Sequence, residues 1–220
     1  MIKSKILKQT SPNNRSLFLL LVIATLILGS VLKKSLSLDK LIYSSLSEQL
    51  TTNQIEQYFE FQEKWQWLGY VFVPIFLLIK ITLIASVLYI GTFFFSKKEI
   101  KYKELFGIVV KAEFVFLLIG IFKIIWFYFF QTNYTLEDIQ YFYPLSALNI
   151  VGYQGLESWF IYPFQTLNLF ELAYWLILAF YIGKATETNM DNGLKIVAPS
   201  YGSALLLWVV TIMFFTLNYS

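Results

Sequence analysis

Five ionisable side chains stand within stretches that are otherwise apolar enough to cross a bilayer: Lys80, Lys111, Glu113, Lys123 and Glu171. An ionised group at mid-bilayer costs at least ~2.5–3.5 kcal/mol on insertion scales, so each must face protein or reach water. Opposite charges at one depth can pair and fix the register of two helices. A string of them can instead pass protons or a solute. With the third span ending near Phe130 and the fourth opening at Pro163, Lys123 lies about 11 Å and Glu171 about 12 Å below the outer face at the helical rise. These two are expected to meet. Lys80, near the middle of the second span, and Glu113, nearer the inner face, form a second expected pair. Lys111 is close enough to water to snorkel. It is two positions from Glu113, so the two point to opposite sides of one helix, which should have protein or water on more than one face. Ion pairs that set helix register are the preferred reading, and a path lined by Lys80, Glu113, Lys123 and Glu171 is the alternative. Polar uncharged residues are too sparse in the second and third spans to line a wet channel.

Few other chemistries are open to this chain. It has no histidine and no cysteine, which removes the commonest general base and metal ligand together with disulfide and thiolate chemistry. It also lacks an HExxH motif, a GxSxG motif and a glycine-rich phosphate loop. Gly202-Ser203 in the last span has no histidine to activate its hydroxyl. Ala198, Gly202, Ser203 and Ala204 read better as a helix-packing face, because small side chains let backbones approach closely. No catalytic residue, cofactor or metal is expected. The basic residues form no compact patch alternating with exposed aromatics, so nucleic acid is not an expected partner.

The elements that position these charges follow from composition. The 220 residues are 57% hydrophobic and 20% aromatic, with mean hydropathy +0.61, more apolar surface than one soluble core of this size can bury. The reading is an all-α, single-domain, polytopic membrane protein with five transmembrane helices, over about residues 16–32, 69–95, 105–130, 163–183 and 196–217. The first follows Lys3, Lys5, Lys8 and Arg15, the flank of a signal peptide. Leu28-Gly29-Ser30-Val31 is a poor cleavage site, so a retained anchor is preferred. With the N-terminus cytoplasmic, the inner segments hold ten Lys and Arg against four outside, which favours that orientation and an extracytoplasmic C-terminus.

Between the first two spans, residues 34–64 carry Leu38, Ile42, Leu46 and Leu50 at helical spacing. After a Thr51-Thr52-Asn53 break, Asn53 and Glu56 form a capping-box pattern. Two short amphipathic helices are expected there, as a lid on the bundle. Glu48, Glu56, Glu60 and Glu63 would be repelled by anionic headgroups. Residues 131–162 form an aromatic interfacial loop. An echo runs through it, Tyr-Pro-x-x-x-Leu-Asn-aliphatic at Tyr143–Ile150 and at Tyr162–Leu169. Proline suits the first helical turn, so each Tyr-Pro is expected to open a helix, the second being the fourth span.

Two segments, YPFQTLNLFELAYWLILAFYIGK (Tyr162–Lys184) and GLKIVAPSYGSALLLWVVTIMFFTL (Gly193–Leu217), together with the five-span plan, resemble the Yip family over about residues 65–220. That family comprises membrane proteins that interact with Rab-type GTPases, and bacterial relatives. The long cytosolic N-terminal region and DLYGP motif of its eukaryotic members are missing, so GTPase binding is not carried over. The resemblance implies a non-enzymatic scaffold or assembly and trafficking factor of the bacterial cytoplasmic (inner) membrane. Its partners would be membrane lipids and a membrane protein or a second copy of the chain. The alternative is a transporter or permease component using the intramembrane lysines and glutamates.

Overall fold

The computed structural model describes residues 13–219. Lys3, Lys5 and Lys8, which carry part of the charge-bias argument, lie outside the described residues. The fold is all-helical, and no strand occurs among the described residues. Four helical runs are long and apolar enough to cross a membrane, the coarser form of the five-span expectation. In chain order they are α1 (Asn14–Ser35), then after the short α2 (Leu38–Ser47) the 44-residue α3 (Thr52–Phe95). The third run joins α4 (Tyr102–Glu113) to α5 (Leu117–Phe129) through a tight 3-10 turn at Phe114–Phe116. Two short helices, α6 (Leu136–Tyr141) and α7 (Ala147–Val151), precede α8 (Ser158–Thr166) and α9 (Leu169–Ala185). The fourth run is α10 (Met190–Val197), a wide π turn at Ala198–Gly202, and α11 (Ser203–Tyr219).

Two boundaries differ from expectation for identifiable reasons. The second helix of the 34–64 segment is not separate, because α3 runs unbroken from Thr52 into the apolar stretch. Its start is set by Thr51, whose backbone N–H and hydroxyl both donate to Gln54 Oε1 (3.0 and 2.9 Å), rather than by Asn53 and Glu56. Nothing after Gln54 is a strong breaker until Pro74, which the helix absorbs. At about 66 Å by helical rise, α3 is roughly twice the thickness of the hydrocarbon core.

The expected fourth span, 163–183, is two helices. Pro163 lies inside α8, and the break comes at Leu167-Asn168, where Asn168 is extended (φ −140°, ψ 161°) and its side chain accepts from the Glu171 N–H at 2.8 Å. Backbone groups freed by the break are satisfied by the other copy of the echo. Ala147 N–H donates to the Leu167 carbonyl (2.8 Å) and Leu169 N–H to the Leu145 carbonyl (3.1 Å), an isolated antiparallel bridge between Ser146 and Asn168. Pro144 precedes α7 by three residues rather than opening it.

The helices alternate between two ends. Asn14 Nδ2 donates to the Lys103 carbonyl (2.6 Å) and Lys98 pairs with Glu187 (2.9 Å), so the start of α1, the α3–α4 turn and the α9–α10 turn share one end. At the other end Leu36, Phe127 and Ile139 pack together. The α4–α5 run is central: 56% of its apolar window is buried, against 11% for α1 and 17% each for α3 and the last run. On α3 the buried side chains are Ile55 and then Ile81, Ala85, Leu88, Gly91 and Thr92, a helical stripe confined to its last four turns. Packing is therefore tight at the end shared by the three junctions and loose at the other.

Backbones meet most closely between α9 and α10. A Cβ on Gly193 would collide with the Ala179 carbonyl, and one on Gly183 with the Asn189 carbonyl. Of the small-residue face, Gly202 lies against Trp175, whereas Ala198 and Ser203 are exposed. The π turn rotates the helix so that Ser200 and Tyr201 take the inward positions, with Ser200 packed on Gly91.

These contacts separate two glycines of equal helical cost. Gly193→Ala should destabilise the detergent-solubilised protein by about 1–3 kcal/mol through overpacking. At Gly29 an added methyl group would meet nothing within 4 Å. Gly29→Ala should therefore leave stability unchanged or raise it by up to about 1 kcal/mol. Thermal unfolding followed by size-exclusion fluorescence checks both.

Candidate functional site

Glu113, the last residue of α4, is 3% exposed. Its carboxylate receives two bonds, from Lys80 Nζ of α3 at 2.8 Å and from the Tyr174 hydroxyl of α9 at 3.0 Å. Lys80 Nζ also lies 4.3 Å above the Phe116 ring centre, a cation–π contact supplied by the 3-10 turn. Half of the Lys80 side chain stays exposed on the bundle surface. One carboxylate thus ties three helices together. Both of its oxygens are occupied by protein donors.

Glu171 forms a second centre about one helical turn from Tyr174. It is the third residue of α9, and its Oε1 accepts from the Tyr201 hydroxyl (2.7 Å) and from Trp175 Nε1 (3.0 Å). Glu171, Tyr174 and Trp175 share one helix face by their spacing of three and four. The Tyr174 and Tyr201 rings touch with centroids 5.3 Å apart and planes tilted by 59°, so the two carboxylate centres are joined by phenols in contact.

Lys123 does not pair with Glu171. Its Nζ donates to the Ile139 carbonyl at 3.0 Å, one of the unsatisfied carbonyls at the C-terminal end of α6, where the helix dipole favours a cation. The depth estimate assumed one unbroken helix from Pro163, whereas the chain is interrupted at Leu167-Asn168 and restarts at Leu169. Glu171 therefore sits in a first turn, held by amide dipoles and neutral donors instead of by a lysine. Lys111 Nζ lies 5.1 Å from the Tyr181 ring centre. No buried side-chain nitrogen or oxygen among the described residues lacks a hydrogen-bond partner.

Tyr174, Trp175, Tyr201 and Asn168 escaped the sequence reading. A partial signal existed in Glu171-x-x-Tyr174-Trp175, which places two donors one turn from an intramembrane acid. Tyr201 had none, because its inward position depends on the π turn.

At the end where Leu36, Phe127 and Ile139 pack, Thr135 and Asp138 make a capping box at the start of α6, with Thr135 N–H and hydroxyl donating to Asp138 Oδ2 (2.8 and 2.9 Å). The Tyr153 hydroxyl reaches Asp138 Oδ1 at 3.2 Å, and the Tyr141 and Tyr153 rings stack at 4.8 Å. The Thr135 backbone N–H is the main cause holding the Asp138 carboxyl below its ordinary value of 3.8.

Two experiments follow from these arrangements. A depressed folded-state value means that the contribution of Asp138 is complete above 3.8 and is lost as pH falls through its lower folded value. Amide exchange in residues 135–141 should rise across that acid window, and Asp138→Asn should remove the pH dependence. In the core, Glu113→Leu leaves an unmatched lysine and should cost several-fold more unfolding free energy than the double change Lys80→Met with Glu113→Leu. A double-mutant cycle on thermal unfolding in detergent measures this, and equal losses in the single and double variants would show that the pair is not coupled.

No protein-family model, curated protein or solved structure matches this chain.

Proposed function

We propose that this chain is a non-enzymatic integral membrane protein that crosses the bilayer five times and acts as a scaffold or assembly factor through contacts with a membrane protein and lipids. The observation that carries the reading is that Glu113, Glu171 and Lys123 are each bonded to neighbouring protein groups. Glu113 is filled by Lys80 and Tyr174, Glu171 receives Tyr201 and Trp175, and Lys123 is bound to a helix terminus. Charges used this way fix the mutual positions of α3, α4 and α9. What the chain offers outward is apolar helix surface: between Ile55 and Ile81 no residue of α3 is buried.

The fifth crossing is α8 and α9 taken together. They run antiparallel to the last run, with Gly183 against Asn189, Glu171 against Tyr201 and Tyr162 against Trp208 at matching heights. Lys97, Lys98, Lys101, Lys103, Lys184 and Lys195 lie in or beside the junctions of one end, which the positive-inside rule assigns to the cytoplasm. A bacterial inner-membrane location and the Yip-type resemblance belong to this proposal, and the supports for them are the span plan and the sequence segments alone.

One feature favours the transport alternative. A helix break and a π turn lie at one depth beside Glu171, and interrupted helices often build substrate sites in transporters. Reconstitution into liposomes loaded with a pH-sensitive dye separates the two readings. Under the scaffold reading, proton flux equals that of empty liposomes, and a photocrosslinker at Phe72 or Phe76 in native membranes gives discrete protein adducts. Proton flux that Glu171→Gln abolishes, or adducts to lipid only, would reject it.

A further inference from the structure

Two backbone interruptions face each other in the hairpin formed by α8–α9 and α10–α11. One is the extended Leu167-Asn168 break, and the other is the π turn at Ala198–Gly202, which contains Pro199 and so lacks one helical N–H. They lie at the same height, since Glu171 beside the break bonds Tyr201 within the π turn. Each therefore weakens its helix at the level where the other is weak, the geometry in which a helical pair bends most easily. Hinges are a few element-terminal residues that absorb a backbone change, and here both strands of the hairpin have them.

Burial divides at the same level. On the inner side α9 and α10 contribute Tyr174, Leu178, Ile182, Ile196 and Val197 to the core. On the outer side neither α8 nor α11 has a buried residue. Those two helices nevertheless hold each other: Trp208 Nε1 of α11 donates to the Tyr162 hydroxyl of α8 at 2.9 Å. The outer half of the hairpin is thus joined within itself and seated on the remainder by few bonds, among them the long one from Gln165 Nε2 of α8 to the Tyr141 carbonyl of α6 at 3.4 Å. The backbone bonds from Leu145 and Ala147 fall at the break itself, so they stay made while the outer half tilts about it.

We propose that α8 and α11 form an arm that tilts as one unit about Leu167-Asn168 and Ala198–Gly202, and that the Tyr201-to-Glu171 hydrogen bond is its latch. The latch joins the pivot of one helix to the pivot of the other. Released, the arm moves away from α6 and α7, while the Lys80–Glu113–Tyr174 centre is undisturbed.

The absence of cysteine makes a clean test possible, because paired spin labels can be placed on the intact chain in lipid nanodiscs. One pair joins α1 to the arm, Ile27→Cys with Phe214→Cys, and a reference pair joins α1 to the fixed half, Ile27→Cys with Phe180→Cys. All three positions are exposed. Distances are read by double electron–electron resonance. Tyr201→Phe keeps the ring and removes the latch proton; it should add a second, displaced population to the 27–214 distances and leave the 27–180 distribution unchanged. Glu171→Gln keeps an acceptor oxygen without the charge and should give a smaller displaced population. Trp208→Phe cuts a bond inside the arm and should leave the position of the arm as in the parent. Unchanged 27–214 distances in both latch variants would overturn the proposal. So would equal broadening of the reference pair, or a Trp208→Phe response as large as that of Tyr201→Phe.

Discussion

The bundle depends on burying one carboxylate. Glu113 ends α4 at the point where the third run tightens into a 3-10 turn, and its two oxygens are filled from α3 and α9. A carboxylate at this depth tolerates no vacancy, since removing one partner of a buried pair leaves an uncompensated charge and costs about 3–5 kcal/mol. That penalty converts a local bond into a global constraint. Any slide of α3 or α9 along α4 by one turn, about 5.4 Å, breaks it. The 3-10 turn contributes as well, because Phe116 lies under the Lys80 ammonium and packs at a tilt against Tyr174 with centroids 4.9 Å apart. Charge, ring and helix end are positioned together.

Around that point the packing is uneven in a way lipid permits. Apolar burial between helices gains little in a bilayer, where acyl chains are as apolar as leucine, so close association relies on small residues and polar bonds. Both devices are concentrated toward the end shared by the α3–α4 and α9–α10 junctions. Gly91 meets Ser200, Gly183 and Gly193 meet backbone carbonyls, and Thr188 N–H closes the α9–α10 turn on the Gly183 carbonyl at 2.7 Å. Glu187 occupies the left-handed region in that turn (φ 58°), a strain that comes with reversing the chain in so few residues. Toward the other end the helices diverge, and aromatic contacts such as Trp126 with Phe142 at 5.3 Å replace backbone approach.

How much of this was legible in the sequence follows from which signals are local. Lys80 and Glu113 stood out because charge in an apolar run is conspicuous whatever the tertiary structure, and the structure places them 2.8 Å apart. Helical class and all four long apolar runs followed from hydropathy. Lys123 was misassigned because its partner is a backbone carbonyl, which no side-chain count reveals. The fused α3 was missed because Thr51-Thr52-Asn53 reads as a pause, and only the bonds to Gln54 show that it is a start. The helix break was hidden for a different reason. Asn168 follows a mostly apolar run, and what allows it to stop the helix is Leu145–Ala147, a segment well before it in the chain. The two Tyr-Pro segments do answer each other, but as partners in one bridge rather than as equivalent helix starts.

The break also accounts for an otherwise puzzling acid. An unbroken helix over 158–185 would satisfy its own backbone, which is the default in hydrocarbon, so the interruption must be compensated. Asn168 caps one amide, and two more bonds come from the Leu145–Ala147 segment. In return the interruption creates a helix N-terminus within the apolar stretch, and such a terminus carries roughly half a positive charge. Glu171 occupies the third position of that helix. Its carboxylate therefore needs no lysine: amide dipoles face it from its own first turn, and Tyr201 and Trp175 supply the hydrogen bonds. A carboxylate held by dipoles, unlike one held by a single cation, exerts no demand on a neighbouring helix for a charge of opposite sign. That leaves Lys123 free to serve α6, and it leaves the polar contact between α9 and the π turn resting on the neutral Tyr201 hydroxyl, while the Trp175 indole stays on Glu171 from within α9.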